Sequence, residues 1–516
     1  MENIGVKKII IVGGGMSGWL AAICLQDYDQ YDITVIESPD ISNIGVGEST
    51  QPGVSLFLQE SNFDITKWMP YTNSTFKYGV MFEGWSNNKF MVDSESKYFT
   101  TLDTGIDDTR SIADICIANN MSIDDFFNWF PPYRMSVNNK SPFYSKEKLH
   151  FLEGGDRFPP KPVQWNNKLM IDLLRKECIN RNVTFINDTV VDVELDEQGY
   201  VSSIITINNK ISGDLYLDCT GFSSVLLEKK YNISWLKVDD ILYNDSAVAI
   251  RKSYVNPQKE CHPYTKSTAM NSGWMWSIPT YNDIAHGYVY SSKYIDKDAA
   301  EKELRTKINE WQSPAFHVPF KTGAREVVAY KNVCGIGNSI GFVEPLEATN
   351  LSLTIETIRD ILVLLNTTNN NWNTYVEKNL NTIFASRFKE LLFFIFMHYH
   401  SSTKNDTTYW QDIHKIPVPI FGHELYNKLK NYPVTNRDIQ TNLVKLEKNI
   451  PTIFSGGHWF QLLKGTGWYE NINREFSEEV KKYGNHVLSV HKFRIDSIID
   501  LYPNHYDYLT EWYESC

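Results

Sequence analysis

The chain predicts an α/β (α+β) fold: a doubly wound parallel sheet assembled from separated stretches, a second β-rich region, and a mainly helical C-terminal part. Three observations carry this. Lys8–Val12 is a β-branched run that enters Gly13-Gly14-Gly15-Met16-Ser17-Gly18, and residues 19–26 then have helical composition. Strand-like runs at 33–36, 183–185, 190–195, 201–207, 213–218 and 333–336 are bounded by glycine or Asp-Glu-Gln-Gly turns. Beyond about residue 371 the pattern becomes helical, and 388–400 is apolar nearly all round, as in a buried helix.

The first strand, turn and helix have the geometry of a dinucleotide loop of the Rossmann type. Gly13 permits the tight turn, Gly15 lets backbone approach a pyrophosphate, and Gly18 allows the helix to pack on the strand, with Met16 and Ser17 at the helix N-terminus facing the phosphates. A second strand ends at Glu37, about 20 residues on, where a carboxylate accepts hydrogen bonds from a ribose. Two later segments, 213–221 and 333–338, bring strands into small-residue turns, which in such a sheet fall where ligands bind. A flavoprotein returns to its cofactor in this way, so FAD is favoured over NAD, with Gly337 and Asn338 on the cofactor side and Val190 as an adenine contact. No second dinucleotide fingerprint is evident. The chain is therefore expected to receive reduced flavin from a separate reductase.

Composition sets limits on partners. A net charge of −12 argues against nucleic acid and anionic membranes and leaves small molecules or proteins. Seven cysteines are scattered without Cys-x-x-Cys or His/Cys clustering, so free thiols in a reducing compartment, and no metal site, are expected. The N-terminus lacks a signal-peptide pattern, and the longest apolar run, 391–397, is far short of the roughly 20 residues that span a bilayer. A cytoplasmic protein without membrane segments follows as the expectation.

Two further features narrow the chemistry. Lys77 lies in Phe76-Lys77-Tyr78-Gly79-Val80-Met81-Phe82, which by alternation reads as one half-buried strand, where a lysine must snorkel, pair or be used. In Trp274-Met275-Trp276-Ser277-Ile278-Pro279, the two tryptophans are two residues apart, so on a strand both rings face one side; Pro279 ends it. They are either core aromatics or a wall that shuts bulky substrate out of a flavin pocket.

Together these segments resemble the flavin-dependent tryptophan halogenases over residues 7–468. The matching motifs are the glycine loop, Gly45-Val46-Gly47-Glu48-Ser49-Thr50, Thr75-Phe76-Lys77, 273–279, Gly287-Tyr288-Val289-Tyr290-Ser291-Ser292 and Phe342-Val343-Glu344-Pro345-Leu346-Glu347. His398-Tyr399 and Asp406 with Trp410 look like the family's later helical segment. The resemblance implies a flavin monooxygenase-like fold and chemistry in two stages. Reduced FAD and oxygen give a C4a-hydroperoxide, halide attacks it, and the resulting hypohalous acid diffuses through a tunnel to an aromatic substrate. It further implies that Lys77 holds the oxidant by hydrogen bonding or as a haloamine, that Glu347 polarises it or takes the proton released by the arene, and that Trp274 and Trp276 keep flavin and substrate apart. Glu48, Ser49 and Leu351 join the implied cofactor contacts, and Thr349 and Asn350 the halide-binding turn. By analogy the family allows a homo-oligomer.

The chain departs from the family at two places. Many relatives read Glu-Ser-Thr-Gly where this chain reads Glu347-Ala348-Thr349-Asn350, which removes a hydroxyl and replaces a permissive glycine in the halide turn. Chloride, bromide and iodide all stay open, and a remodelled pocket points toward bromide or iodide. The acidic and aromatic loop that clamps free tryptophan is replaced by Ile453-Phe454-Ser455-Gly456-Gly457 before His458-Trp459-Phe460, so a substrate other than free tryptophan, such as a phenol, indole or anilide, is expected.

The expected organisation is a discontinuous FAD core (1–85, 145–230, 325–370), an insertion near the active site (86–144), a substrate-side sheet (231–324) and a mainly helical region (371–516). A flavin monooxygenase or oxidase on the same scaffold, and an inert flavin-binding protein, are the competing readings; halide-dependent product separates them from a halogenase.

Overall fold

A computed structural model of the chain describes residues 3–41, 47–94, 112–144, 161–431, 453–470 and 477–515. Gly45, Val46 and parts of the expected insertion and C-terminal region lie outside them. The chain forms two compact units, one made of 1–73, 165–242 and 320–388, the other of 74–164, 243–319 and 389–516. Residues 74–85 therefore cluster with the second unit, where Gly79–Glu83 is a strand of the main sheet.

The first unit is built on the expected parallel sheet. Its strands run Ala329–Tyr330, Val333–Gly335, Leu215–Asp218, Lys8–Val12, Asp32–Glu37, Thr184–Asn187, all parallel except the first, which forms a hairpin at one edge. Ile9, Ile10 and Ile11 are fully buried, because helices such as Met16–Leu25 cover the sheet; this is why the central strand reads as an unbroken β-branched run. Residues 190–195, 201–206 and 210–211 form a small antiparallel sheet in this unit.

The second unit is organised by a seven-stranded sheet in the order Ala315–Pro319, Ser246–Ser253, Asp283–Tyr290, Gly273–Pro279, Thr265–Met270, Gly79–Glu83, Phe90–Asp93. Gly273–Pro279 is a strand buried at every position. Trp274 and Trp276 share one face, with ring centroids 6.2 Å apart, while Met275 packs on the other with Val248, Ile250, Tyr288 and Leu304. Trp276 is paired in register with Gly287, and its ring occupies the space a side chain would need: a Cβ at Gly287 would lie 1.8 Å from the indole Cζ2.

One sequence expectation is corrected here. Residues 76–82 are not a single half-buried strand. Thr75–Phe76 and Gly79–Glu83 are separate strands, and Lys77 and Tyr78 form the step between them. The backbone changes partner at that step: Lys77 N–H donates to the Pro162 carbonyl at 2.9 Å and Tyr78 N–H to the Pro263 carbonyl at 2.7 Å. Lys77 cannot snorkel, since it is only 3 % exposed.

The C-terminal region supplies Thr374–His400, Gly456–Gly465, Glu478–Ile498 and His505–Glu514 as helices. Among the described residues, no helix is long and apolar enough to cross a membrane. Gly287→Ala should force Trp276 from its place and lower stability by about 2 kcal/mol, as overpacking does; urea unfolding checks this, and an unchanged midpoint would show that the indole relocates freely.

Candidate functional site

In the first unit, close backbone approaches make a cradle that side chains would fill. Gly13 has φ +112°, and a Cβ there would lie 2.3 Å from the Cys219 carbonyl oxygen; a Cβ at Gly18 would lie 1.9 Å from the Gly13 carbonyl oxygen. Gly15 is the N-cap of the Met16–Leu25 helix and offers no side-chain acceptor, so the first-turn N–H groups, Met16 and Ser17 included, retain their capacity to bind an anion. The third glycine turn reaches the same place: a Cβ at Gly337, φ +71°, would lie 2.1 Å from Ser17 Oγ. Ser339 Oγ donates to the Asp218 carbonyl, which ties the 337–339 turn to the end of the neighbouring strand. A cradle with uncapped amides fits the diphosphate of a dinucleotide.

Glu37 ends its strand as expected, yet both of its oxygens are already engaged by a fork from Arg175, Nε to Oε2 at 2.9 Å and Nη2 to Oε1 at 2.6 Å. A carboxylate has about four lone-pair sites, so room remains for ribose hydroxyls. Arg175 was not legible as a partner in the sequence, because it arrives from a helix 138 residues away. Gly14, too, acquires a reason: a Cβ there would lie 2.4 Å from Glu37 Cδ. Val190 begins a strand of the small sheet, just past the point where the Asp188 N–H donates to the Glu37 carbonyl at 3.0 Å.

The segment carrying Glu347 is also in this unit. Glu347 (φ 62°) and Ala348 (φ 55°) are consecutive left-handed residues, after which Thr349–Thr367 is helical. Neither is glycine or asparagine, so this turn carries backbone strain. Asn350, in place of a glycine, sits inside the helix and needs no unusual φ; its side chain donates to Asn338 Oδ1 at 2.6 Å. Ala348 occupies the N-cap position in the left-handed region and offers no side-chain acceptor. Gln51, which the sequence reading passed over, donates from Nε2 to the Glu347 carbonyl at 2.8 Å and ties the turn to the stretch that follows Glu48 and Ser49. Thr349 and Leu351 are buried in the first turn of the helix.

In the second unit, a hydrogen-bonded chain links the lysine step to the double-tryptophan strand. Thr75 Oγ1 donates to the Pro279 carbonyl at 2.7 Å, Gln164 Nε2 donates to Thr75 Oγ1 at 3.1 Å, and Thr265 Oγ1 donates to Gln164 Oε1 at 2.9 Å. Thr75 and Gln164 are opposite one another in an antiparallel pair. Lys77 thus lies two residues beyond Thr75, which is fixed to the end of the 273–279 strand.

The family model described as tryptophan halogenase matches residues 8–481. The chain belongs to that family. A 7-chloro-L-tryptophan 6-halogenase of Kutzneria sp. (strain 744) is 30 % identical over 438 residues, covering 80 % of this chain and 82 % of the relative. A tryptophan 7-halogenase of Lentzea aerocolonigenes is 27 % identical over 499 residues, 90 % of each chain. The crystal structure of a tryptophan 6-halogenase from Streptomyces toxytricini superposes with a TM-score of 0.86 at 25 % identity, covering 98 % of this chain and 99 % of that one.

This protein is accordingly a flavin-dependent halogenase; membership implies the use of FAD and halide, and enzymes of this kind use a separate flavin reductase and an aromatic substrate. Among the described residues of its second unit, the buried histidines His286, His458 and His505 are held neutral. Burial pulls His286 down to about 3 and His505 to about 4; burial, reinforced by the charge of Lys77, pulls His458 to about 4. The unfolded chain takes up these protons first, near 6.5, so the halogenase should hold this part of its stability above pH 6.5 and lose it as pH falls toward 4. Urea midpoints between pH 7 and 4.5 should fall, and His286→Gln should flatten the fall; equal slopes would remove the histidines as its cause.

Proposed function

We propose that this halogenase delivers hypohalous acid to Lys77, which presents it to an aromatic substrate not restricted to free tryptophan. The observation that carries the reading is the burial of Lys77 at a backbone step fixed, through Thr75, to the strand of Trp274 and Trp276. Gly13, Gly15, Met16, Ser17, Gly18, Gly337 and Asn338 would hold FAD, with Glu37 toward the ribose, Val190 toward the adenine and Glu48, Ser49 and Leu351 as further contacts; the reduced cofactor, once bound, would supply with oxygen and halide the oxidising halogen. Thr349 and Asn350 are assigned to the halide, beside the strained turn.

An ammonium in a dry site is a stronger hydrogen-bond donor than one in water. Lys77 can donate to the oxygen of hypohalous acid and leave the halogen as the electrophilic end, or, as the free amine, exchange an N–H for N–halogen with release of water. The arene attacks the halogen, and its ring proton then requires a base, the role assigned to Glu347. Trp274 and Trp276 restrict what passes to species as small as the oxidant.

The substrate side supports a partner with an acceptor oxygen. The Asp93 N–H can only donate, so Gln461 turns Oε1 toward it at 2.6 Å, and the buried Gln461 amide nitrogen has no acceptor among the described residues. That donor suits a phenol or anilide oxygen. Before it, the Ile453 and Phe454 N–H groups donate to Glu390 Oε1 at 3.0 and 3.2 Å, so this carboxylate is occupied by backbone.

The test is a mass-spectrometric screen of the protein with FAD, a flavin reductase, NADH and oxygen, supplied with chloride, bromide or iodide and a panel of indoles, phenols and anilides. Halide-specific mass shifts are expected; oxygenated, unhalogenated products would overturn the reading. Lys77→Ala should abolish product while FAD binding and oxygen uptake persist, and retained halogenation would remove the lysine's role. Glu347→Gln keeps the volume and loses the charge, so initial rates should fall about a hundredfold; parental rates would make Glu347 structural.

A further inference from the structure

The family match ends at residue 481, but the helix His505–Glu514 packs on Phe76, the residue before Lys77. Its buried residues, His505, Tyr508, Leu509 and Trp512, fall on one face. Trp512 stacks on Phe76 with centroids 5.6 Å apart and planes at 7°, and Tyr513 donates its hydroxyl to the Ser74 carbonyl. The N-terminus of this helix is capped by Asn504, whose Oδ1 accepts from Tyr506 N–H at 3.0 Å, so its first residue is held in place.

That first residue is His505, fully buried. Its Nδ1 lies 3.1 Å from the Cys261 carbonyl, which can only accept, so Nδ1 carries the proton. Nε2 therefore presents a lone pair, and the Phe76 N–H donates to it at 3.2 Å. The residue after Phe76 is Lys77, whose own N–H is bonded to Pro162. Burial keeps the ring neutral, with a pKa lowered to about 4, so the acceptor survives at working pH.

We infer that His505 is a positioning residue for Lys77: as a neutral acceptor delivered by the C-terminal helix, it fixes the Phe76 amide and with it the backbone from which the lysine projects. The strand ladder leaves this amide to the histidine: Phe76 is in register with Val163, yet its N–H donates to His505. Thr75–Phe76 is only two residues long, and Lys77 stands where one strand has ended and the next has not begun. The functional half of this inference rests on the reading of Lys77 as the carrier of the oxidant.

The experiment compares the full chain with His505→Leu, which removes the acceptor, and His505→Gln, whose carbonyl restores one. Hydrogen exchange of the Phe76 amide should accelerate about tenfold in His505→Leu, as expected for one lost buried hydrogen bond, and recover in His505→Gln. In a second arm, each protein turns over with FAD, reductase, NADH, oxygen and bromide but no organic substrate, is desalted, and its retained oxidant is titrated with a chromogenic thiol. His505→Leu should retain several-fold less oxidant than the parent at unchanged FAD affinity, with His505→Gln in between. Unchanged Phe76 exchange in His505→Leu, or no recovery in His505→Gln, overturns the positioning role. Altered exchange with full oxidant retention overturns its consequence for Lys77. Oxidant retained by Lys77→Ala would instead count against the lysine as carrier, while the exchange arm still decides whether His505 holds the backbone.

Discussion

The burial of Lys77 is the constraint on which the second unit depends. A primary ammonium taken out of water is costly unless fixed dipoles and charges surround it, and it is useful for the same reason, because its donors then act in a low dielectric. Two residues before Lys77, Thr75 is bonded at defined atoms to a backbone carbonyl and to Gln164. Thr75, Gln164 and Thr265 run from the lysine step to the carbonyl of Pro279 and across two strands. His458, neutral because it is buried and because Lys77 is nearby, adds no competing charge. The two tryptophans belong to the seven-stranded sheet, with Trp276 seated over Gly287, where any side chain would collide with its ring.

The first unit shows a different economy. Its loops converge through absent side chains: the added atom would collide with Cys219 backbone at Gly13, with Gly13 at Gly18, and with Ser17 at Gly337. The result is a surface of backbone amides, suited to phosphates and indifferent to what the rest of the cofactor carries. Polar side chains brace these loops from beside them: Ser339 holds the carbonyl of Asp218, Arg175 holds Glu37, and Gln51 holds the carbonyl of Glu347.

The Glu347-Ala348 turn joins these themes. Two consecutive left-handed residues without glycine persist only when the surroundings fix them, and here a hydrogen bond from Gln51 on one side and a buried helix on the other do so. Asn350 is accommodated without strain because position 350 is already helical, whereas Ala348 leaves the N-cap position without a side-chain acceptor.

Much of this was legible in the chain alone. The order of β-branched runs and glycine turns determined the parallel sheet, since a strand buried on both faces has to be apolar throughout and a phosphate loop has to lack side chains. The two-residue spacing of Trp274 and Trp276 determined that they share a face. What tertiary structure decided concerns partners distant in sequence: Arg175 on Glu37, Gln51 on Glu347, Gly287 beneath Trp276, and His505 on the amide before Lys77. It also broke the apparent strand 76–82 at the lysine, because alternation records which side chains are apolar but not to which neighbour each backbone N–H is bonded. Periodicity is a local property of the chain, whereas these contacts exist only after elements hundreds of residues apart have packed.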